Sequence, residues 1–456
     1  MSDLNKMQNT DVALKRTLNL PLLIMFGLAY LAPTVVFNNY GIFTEATGGM
    51  YALAFAITTI AMSFTAYSYT QMVKVYPKAG SVYTYTHKSI QPHVGFMAGW
   101  VMLVDYLLLP MICYLLLGTY INEYFPAIPV WLCVVVVAGL GAVINIIGAK
   151  TASIVDTIII AMQVGFTFLV LIVAIKYITG GGGAGTVIDS VAFYNPETFN
   201  LGNILGVSAI LSVSFVGFDA VTTMAEETRN PEKVVGKAIM GVVILAGILF
   251  IITAYIMQLS WPMAYKEIED VNVGIFEFFP QIDKAWMGDV FFIIDNFATF
   301  VCAMAGIAAV SRVLYGMGRD NILPKKFFGK LSSKFHTPVN NIVLTSVIAL
   351  TAIFYEENLM GASALVSFGA ITGFIMVNLS VIFHYYIRGK ERGAWNIFKH
   401  LVVPAIGILI LIVVFIYLET QAKILGGIWL AIGLIYLVVK TRGFKTLPPE
   451  MHLDEE

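Results

Sequence analysis

Twelve long apolar stretches occupy almost the whole chain, and the sixth is interrupted at Ser214-Phe215-Val216-Gly217-Phe218-Asp219 by a glycine and an acid. A helix crossing hydrocarbon must satisfy its backbone internally. A break with a carboxylate at membrane depth therefore survives only where it lines a cavity in the protein. The pattern predicts an all-α integral membrane protein with a solute-binding site at its centre.

Composition agrees. Of 456 residues 58% are hydrophobic and 12% are charged, whereas a soluble domain carries about 25% charged residues. A spanning helix needs about 20 mainly apolar residues. Twelve segments meet this: 18–43, 51–73, 94–120, 129–147, 151–177, 202–224, 237–259, 287–316, 339–356, 361–386, 400–418 and 424–440. They are called segments 1 to 12 below. Lys15 and Arg16 run into segment 1 without a small-residue cleavage pattern, so that segment is expected in the mature protein. Cys113, Cys133 and Cys302 all fall in apolar runs, which argues against disulfides and against a metal cage.

The basic residues orient the bundle. If the amino end is cytoplasmic, all but four of the 27 Lys and Arg lie on the cytoplasmic side; Lys176, Lys266, Lys284 and Lys423 are the exceptions. This bias predicts a multi-pass protein of the inner (plasma) membrane with both termini cytoplasmic. Pro33 stands in the middle of segment 1, where it removes a backbone bond. Breaks in segments 1 and 6, five segments apart, point to an inverted repeat. The expected organisation is a cytoplasmic segment 1–17, a ten-helix core 18–386, two further helices in 387–440 and a cytoplasmic tail 441–456.

Two stretches carry a resemblance. Gly217-Phe218-Asp219-Ala220-Val221-Thr222-Thr223 with Ala225-Glu226-Glu227-Thr228-Arg229-Asn230-Pro231 is similar to the helix 6 signature of the amino acid–polyamine–organocation superfamily. Ser311-Arg312-Val313-Leu314-Tyr315-Gly316-Met317-Gly318-Arg319-Asp320 with Leu323-Pro324 resembles its helix 8 exit motif. Within the superfamily the chain looks most like the bacterial putrescine importers. That likeness rests on Gly27-Leu28-Ala29-Tyr30-Leu31, Lys78 to Tyr85, Pro92 to Met97, Asp105-Tyr106-Leu107 and Leu109-Pro110-Met111-Ile112. It implies a LeuT-like fold of twelve transmembrane helices, five plus five inverted and two added, with a central site and alternating access. The implied function is secondary active import of a small organic cation, putrescine or a related polyamine, driven by protons or by the membrane potential. A proton-coupled amino acid permease is the alternative.

The expected substrate site comprises Tyr30, Ala32, Pro33, Thr34, Asp105, Tyr106, Ser214, Phe215, Gly217, Phe218, Asp219 and Asp295. Asp105 stands about 16 Å along segment 3 at about 1.5 Å per residue. An acid there costs about 2.5–3.5 kcal/mol on insertion scales, so it serves either as counter-ion to an ammonium group, beside Tyr106, or as a hydrogen-bonded structural residue. Asp219 follows the break in segment 6. The resemblance associates it with proton-linked gating, while its position also suits a cap of the inner half-helix. Asp219 and Asp105 are the expected proton-coupling residues. Asp295, at a position not acidic in the putrescine importers, is a second amine anchor or faces the outer vestibule. Phe215 is the aromatic best placed for a gate, and a ring attracts an ammonium group by about 0.5–2 kcal/mol.

Some features of the superfamily are missing. Many of its amino acid carriers have a Gly-Ser-Gly type run in helix 1, whose amides receive a carboxylate at a half-helix end. Ala32-Pro33-Thr34-Val35-Val36 is bulkier and lacks one N–H. That favours an amine without an α-carboxylate. Gln163 stands where some proton-linked relatives carry Lys, and the run after Thr299 lacks the paired hydroxyls of a sodium site. No nucleotide-binding loop or zinc spacing is present, so no cofactor, metal or catalytic residue is expected. The partners are the substrate, protons and the bilayer; the basic loop 325–334 reads as a membrane-surface flank, not a nucleic-acid site.

Overall fold

The computed structural model describes residues 18–77, 81–147, 152–319 and 321–448. The expected amino-terminal segment 1–17 and the last residues of the tail lie outside that range. Among the described residues the chain is helical throughout, apart from one isolated bridge between Leu18 and Thr228. Ten helices among the described residues are long and apolar enough to cross a membrane. An eleventh, Val339–Tyr355, is shorter, and segment 1 is broken into pieces too short to be counted. Most expected segment ends shift by only a few residues: segment 3 is Pro92–Tyr124, segment 8 is Trp286–Arg319 and segment 10 begins at Leu359, whereas segments 7 and 11 begin six residues early, at Pro231 and Ala394.

Sequence punctuation sets many of these ends. Pro92 and Pro231 open segments 3 and 7 at the first helical position, where a missing N–H costs nothing. Asn200 and Asn358 cap segments 6 and 10, accepting from the N–H groups of Asn203 and Gly361 at 3.1 and 2.8 Å. Burial then sorts the helices. Within the most apolar part of each span, 83% is buried in segment 3 and 72% in segments 6 and 10, against 22% in segment 12. Segments 3, 6 and 10 form the centre; segments 4, 5, 11 and 12 turn much of their apolar surface outward, as lipid contact requires.

Both expected breaks are present. Segment 1 is helical over Leu20–Tyr30 and resumes only at Val35–Asn38 and Tyr40–Thr47. Between them Ala32 takes a left-handed φ of 48°, a conformation that costs a non-glycine residue about 1–2 kcal/mol. Segment 6 runs as α-helix over Leu201–Ile210, tightens to 3₁₀ over Leu211–Phe215, opens at residues 216–218 and continues as 3₁₀ over Asp219–Glu227. Gly217 has φ 112°, which only glycine adopts without strain.

Neighbouring side chains take over the backbone groups that the breaks release. Tyr51 and Tyr120 donate to the carbonyls of Val36 and Asn38 at 2.8 and 2.7 Å. Thr58 and Ser367 donate to the carbonyls of Ser208 and Ile210, both at 3.0 Å. The Thr34 N–H reaches Gln163 Oε1 at 3.4 Å, and the Gly217 N–H reaches Asp219 Oδ1 at 3.3 Å. This is how irregular backbone persists at membrane depth. A helix not expected from the sequence, Ser81–Ser89, lies between segments 2 and 3, and two short ones, Ala264–Glu267 and Gly274–Gln281, occupy the connection between segments 7 and 8.

Candidate functional site

The two breaks face each other across a cavity of about 110 Å³. Segment 1 contributes Leu31, Ala32, Thr34, Val35, Asn38 and Asn39. Segment 6 contributes Ile210, Val213, Ser214 and Val216, and segment 3 contributes Leu109, Ile112, Cys113 and Leu116. Segment 8 adds Asp295, Ala298, Thr299 and Cys302; segment 10 adds Ser363. The walls are mostly aliphatic. Among the described lining residues Asp295 is the one with an ionisable carboxyl, and no Lys, Arg or His joins it.

Asp295 is 1% exposed. Its Oδ1 accepts from the Thr34 hydroxyl at 2.9 Å and its Oδ2 from the Thr299 hydroxyl at 3.4 Å. With its amide nitrogen turned inward, Asn38 donates to Asp295 Oδ1 and to the Thr34 carbonyl, both at 3.1 Å. The Thr34 hydroxyl also lies 3.0 Å from Gln163 Oε1. It has one proton, so it serves Gln163 or Asp295, not both. Among the described residues no Lys, Arg or His forms an ion pair with Asp295. The carboxylate keeps acceptor capacity on a cavity wall without a countercharge.

The expected site residues separate into two groups. Ala32, Thr34, Ser214 and Asp295 line the cavity, with Pro33 buried in the break between two of them. Asp105 does not line it. It is 1% exposed and lies four residues before Leu109, on the face of segment 3 that carries Leu109, Ile112 and Leu116. That places it one turn, about 6 Å, beyond the cavity and toward the end of the bundle that holds Leu18. Asp105 Oδ1 has no hydrogen-bond partner among the described residues. Segment 10 passes so close that a Cβ on Gly369 would lie 3.0 Å from the Asp105 nitrogen.

Asp219 lies within electrostatic reach of Asp105 and of Tyr85 in the helix Ser81–Ser89. Its Oδ1 accepts from the Gly217 N–H two residues upstream, which ties the break together; Phe218, not Asp219, precedes the helix Asp219–Glu227, and no side chain caps that helix, so the expected cap by Asp219 is not formed. Phe218 packs edge-on against Tyr69 at 5.3 Å and with a tilted ring against Phe374 at 5.2 Å, and Tyr69 meets Tyr85 at 5.9 Å. These rings fill the space beside the two acids. Phe215 is fully buried with its edge on Phe250 and is not among the cavity-lining residues. Tyr106 packs against the apolar cluster around Phe96 and Trp100. The side chain of Tyr30 lies outside the described residues.

Four polar lining residues are absent from the expected site: Asn38, Asn39, Thr299 and Ser363; Gln163, noted in the sequence only for the Lys it replaces, joins them through Thr34. Asn38 and Asn39 carry a local signal, since paired amides are unusual in a spanning segment. Ser363 carries none, because only packing brings segment 10 to the breaks.

Comparison with known proteins bears on what the site does. The chain matches the amino acid permease family over residues 23–438. It is 37% identical to the low-affinity putrescine importer PlaP of Escherichia coli (strain K12), over 98% of both chains. It is 24% identical to the branched-chain amino acid permease BcaP of Bacillus subtilis (strain 168), over 97% of this chain and 96% of that one. A methylthioribose transporter of the same Bacillus strain is 25% identical over 94% and 95%. These relatives are transporters, not enzymes.

Proposed function

Since the chain belongs to the amino acid permease family and is a multi-pass membrane transporter for amino acids or polyamines, we propose that it is a secondary carrier that imports a small organic amine, putrescine first, by alternating access. One observation carries this reading: the single charged residue on the cavity wall is an acid, Asp295, with no cation paired to it among the described residues. A carboxylate with no countercharge in a mostly aliphatic cavity attracts an ammonium group and repels a carboxylate.

The remaining lining suits the body of such a molecule. The side chains of Leu31, Val35, Leu109, Ile112 and Val213 offer apolar contact. Burying four methylenes contributes about 3 kcal/mol at about 0.8 kcal/mol each. A cavity of about 150 Å³ holds benzene, with six heavy atoms; putrescine also has six, so a cavity of about 110 Å³ is close to its size. The first ammonium group sits at Asp295, with Thr34, Asn38 and Thr299 fixing the carboxylate. Asp105, one turn further on, serves as second anchor as the substrate moves through, with Tyr30, Ala32, Pro33, Tyr106, Ser214, Phe215, Gly217 and Phe218 shaping the passage.

Asp105 and Asp219 are the proposed proton-handling pair, being two acids buried within reach of each other. A dication entering a cell at −100 mV gains about 2 × 2.3 kcal/mol, so the potential alone supports accumulation. The same proposal takes the two breaks as the midpoints of a five-plus-five inverted repeat in a LeuT-like fold. Ten spans, the shorter Val339–Tyr355 and the broken segment 1 then make twelve helices. The distribution of Lys and Arg supports an inner-membrane protein with both termini cytoplasmic.

The match to BcaP favours one rival, a proton-coupled amino acid permease. Competition against labelled putrescine in reconstituted vesicles separates the two. Spermidine and cadaverine displace the label if the amine reading holds. Strong displacement by leucine or alanine, with none by the amines, rejects it. Stimulation by an inward proton gradient with the electrical potential clamped tests the coupling.

A further inference from the structure

Cys113 on segment 3 and Cys302 on segment 8 both line the cavity, with the two thiols within interaction range of each other. Both carry thiols rather than a disulfide. Segments 3 and 8 are packed closely one turn away, where a Cβ on Gly306 would lie 3.3 Å from Pro110 Cγ. Two adjacent sulfurs on rigid, tightly packed helices form a preorganised pair of soft ligands. The third cysteine, Cys133, is buried in segment 4 and does not line the cavity.

We propose that Cys113 and Cys302 form a dithiol site in the wall of the transport cavity that captures trivalent arsenicals, and that the captured group blocks the passage. With phenylarsine oxide the chemistry is an exchange without redox change. The arsenic–oxygen bonding and both S–H bonds break, and two arsenic–sulfur bonds form. The oxygen leaves as water with the two thiol protons. One arsenic thus bridges both sulfurs and holds its phenyl ring in the cavity. Since a cavity of about 150 Å³ holds one benzene, a phenyl group takes up the space of about 110 Å³ that a substrate would need. Two bonds to one arsenic make the adduct resistant to monothiols, because a single sulfur cannot displace both at once, whereas a dithiol competes on equal terms.

The test treats purified, reconstituted full-length protein with phenylarsine oxide, washes with excess monothiol, and records intact mass and putrescine uptake. The proposal expects one arsenic per chain, with a matching loss of one water, and loss of uptake restored by 2,3-dimercaptopropanol. Cys113→Ala and Cys302→Ala each lose the monothiol-resistant adduct and the inhibition, while Cys133→Ala keeps both. Cys113→Ser and Cys302→Ser repeat the comparison should an alanine variant melt below the parent protein. No resistant adduct in the parent, an adduct retained in either single variant, or a full adduct with unchanged uptake each overturns the proposal. Adduct formation needs no assumption about the substrate. If untreated protein takes up no putrescine, the amine reading falls, and the masses still decide the dithiol.

Discussion

Asp295→Asn is the most informative substitution. The structure says what it preserves. An asparagine Oδ1 still accepts from Thr34 and from Asn38, and its amide nitrogen faces the Thr299 hydroxyl, which accepts in turn. The local network and the fold therefore survive. What disappears is one negative charge on an apolar cavity wall. At about 4 Å and an effective dielectric near 20, that charge attracts an ammonium group by about 4 kcal/mol. Losing one partner of a buried charge pair costs about 2–5 kcal/mol. After the lesser desolvation of the neutral side chain, a net loss of about 2–4 kcal/mol remains, or roughly 30- to 700-fold in Kd. Calorimetric titration of putrescine into parent and variant protein in nanodiscs measures it. Without ligand, the variant melts at or slightly above the parent temperature, because Asp295 has no cation to lose among the described residues. A Kd shift below about fivefold, the scale of a solvent-exposed pair, refutes the reasoning.

Four other predictions follow from the same geometry. Asp105→Asn abolishes uptake with near-normal expression, and Asp219→Asn flattens the dependence of uptake on pH while keeping an acceptor for the Gly217 N–H; normal transport by the first, or an unchanged pH profile in the second, moves these roles elsewhere. Gly217→Ala forces a Cβ onto a backbone with φ 112° and lowers stability by about 1–3 kcal/mol; an unshifted thermal melt contradicts the strained break. Trp100 and Trp429 stack at 4.9 Å and each donates its indole N–H to the other's carbonyl, at 3.0 and 2.9 Å. Replacing either by Phe destabilises the protein by about 0.5–1.5 kcal/mol and leaves Kd for putrescine unchanged, because the pair fastens segment 12 to segment 3 away from the cavity.

What the sequence could tell depended on how local each feature is. Segment lengths follow from hydrocarbon thickness, so their positions were legible to within a few residues. Pro33 and Gly217 announced the breaks because each acts on its own backbone. The fine form was not legible: the left-handed turn falls on Ala32, a residue with no preference for it, and segment 6 continues as 3₁₀ after opening. The acids were visible as residues but not as neighbours. Asp295 proved to be the acid in the cavity, while Asp105 stands a turn beyond it and keeps company with Asp219. Phe215 was attractive as a gate by its place in the motif, yet its ring turns to Phe250. Pairings such as Thr34 with Gln163, or Cys113 with Cys302, join residues more than a hundred positions apart. Only packing creates them.

An experimental density map of the protein with bound putrescine decides whether the substrate sits between the two breaks. Elongated density is expected between the two unwound stretches, with one amine nitrogen at hydrogen-bond distance from the Asp295 carboxylate. Density outside this cavity, or continuous helix through residues 31–34 and 216–218, contradicts that placement.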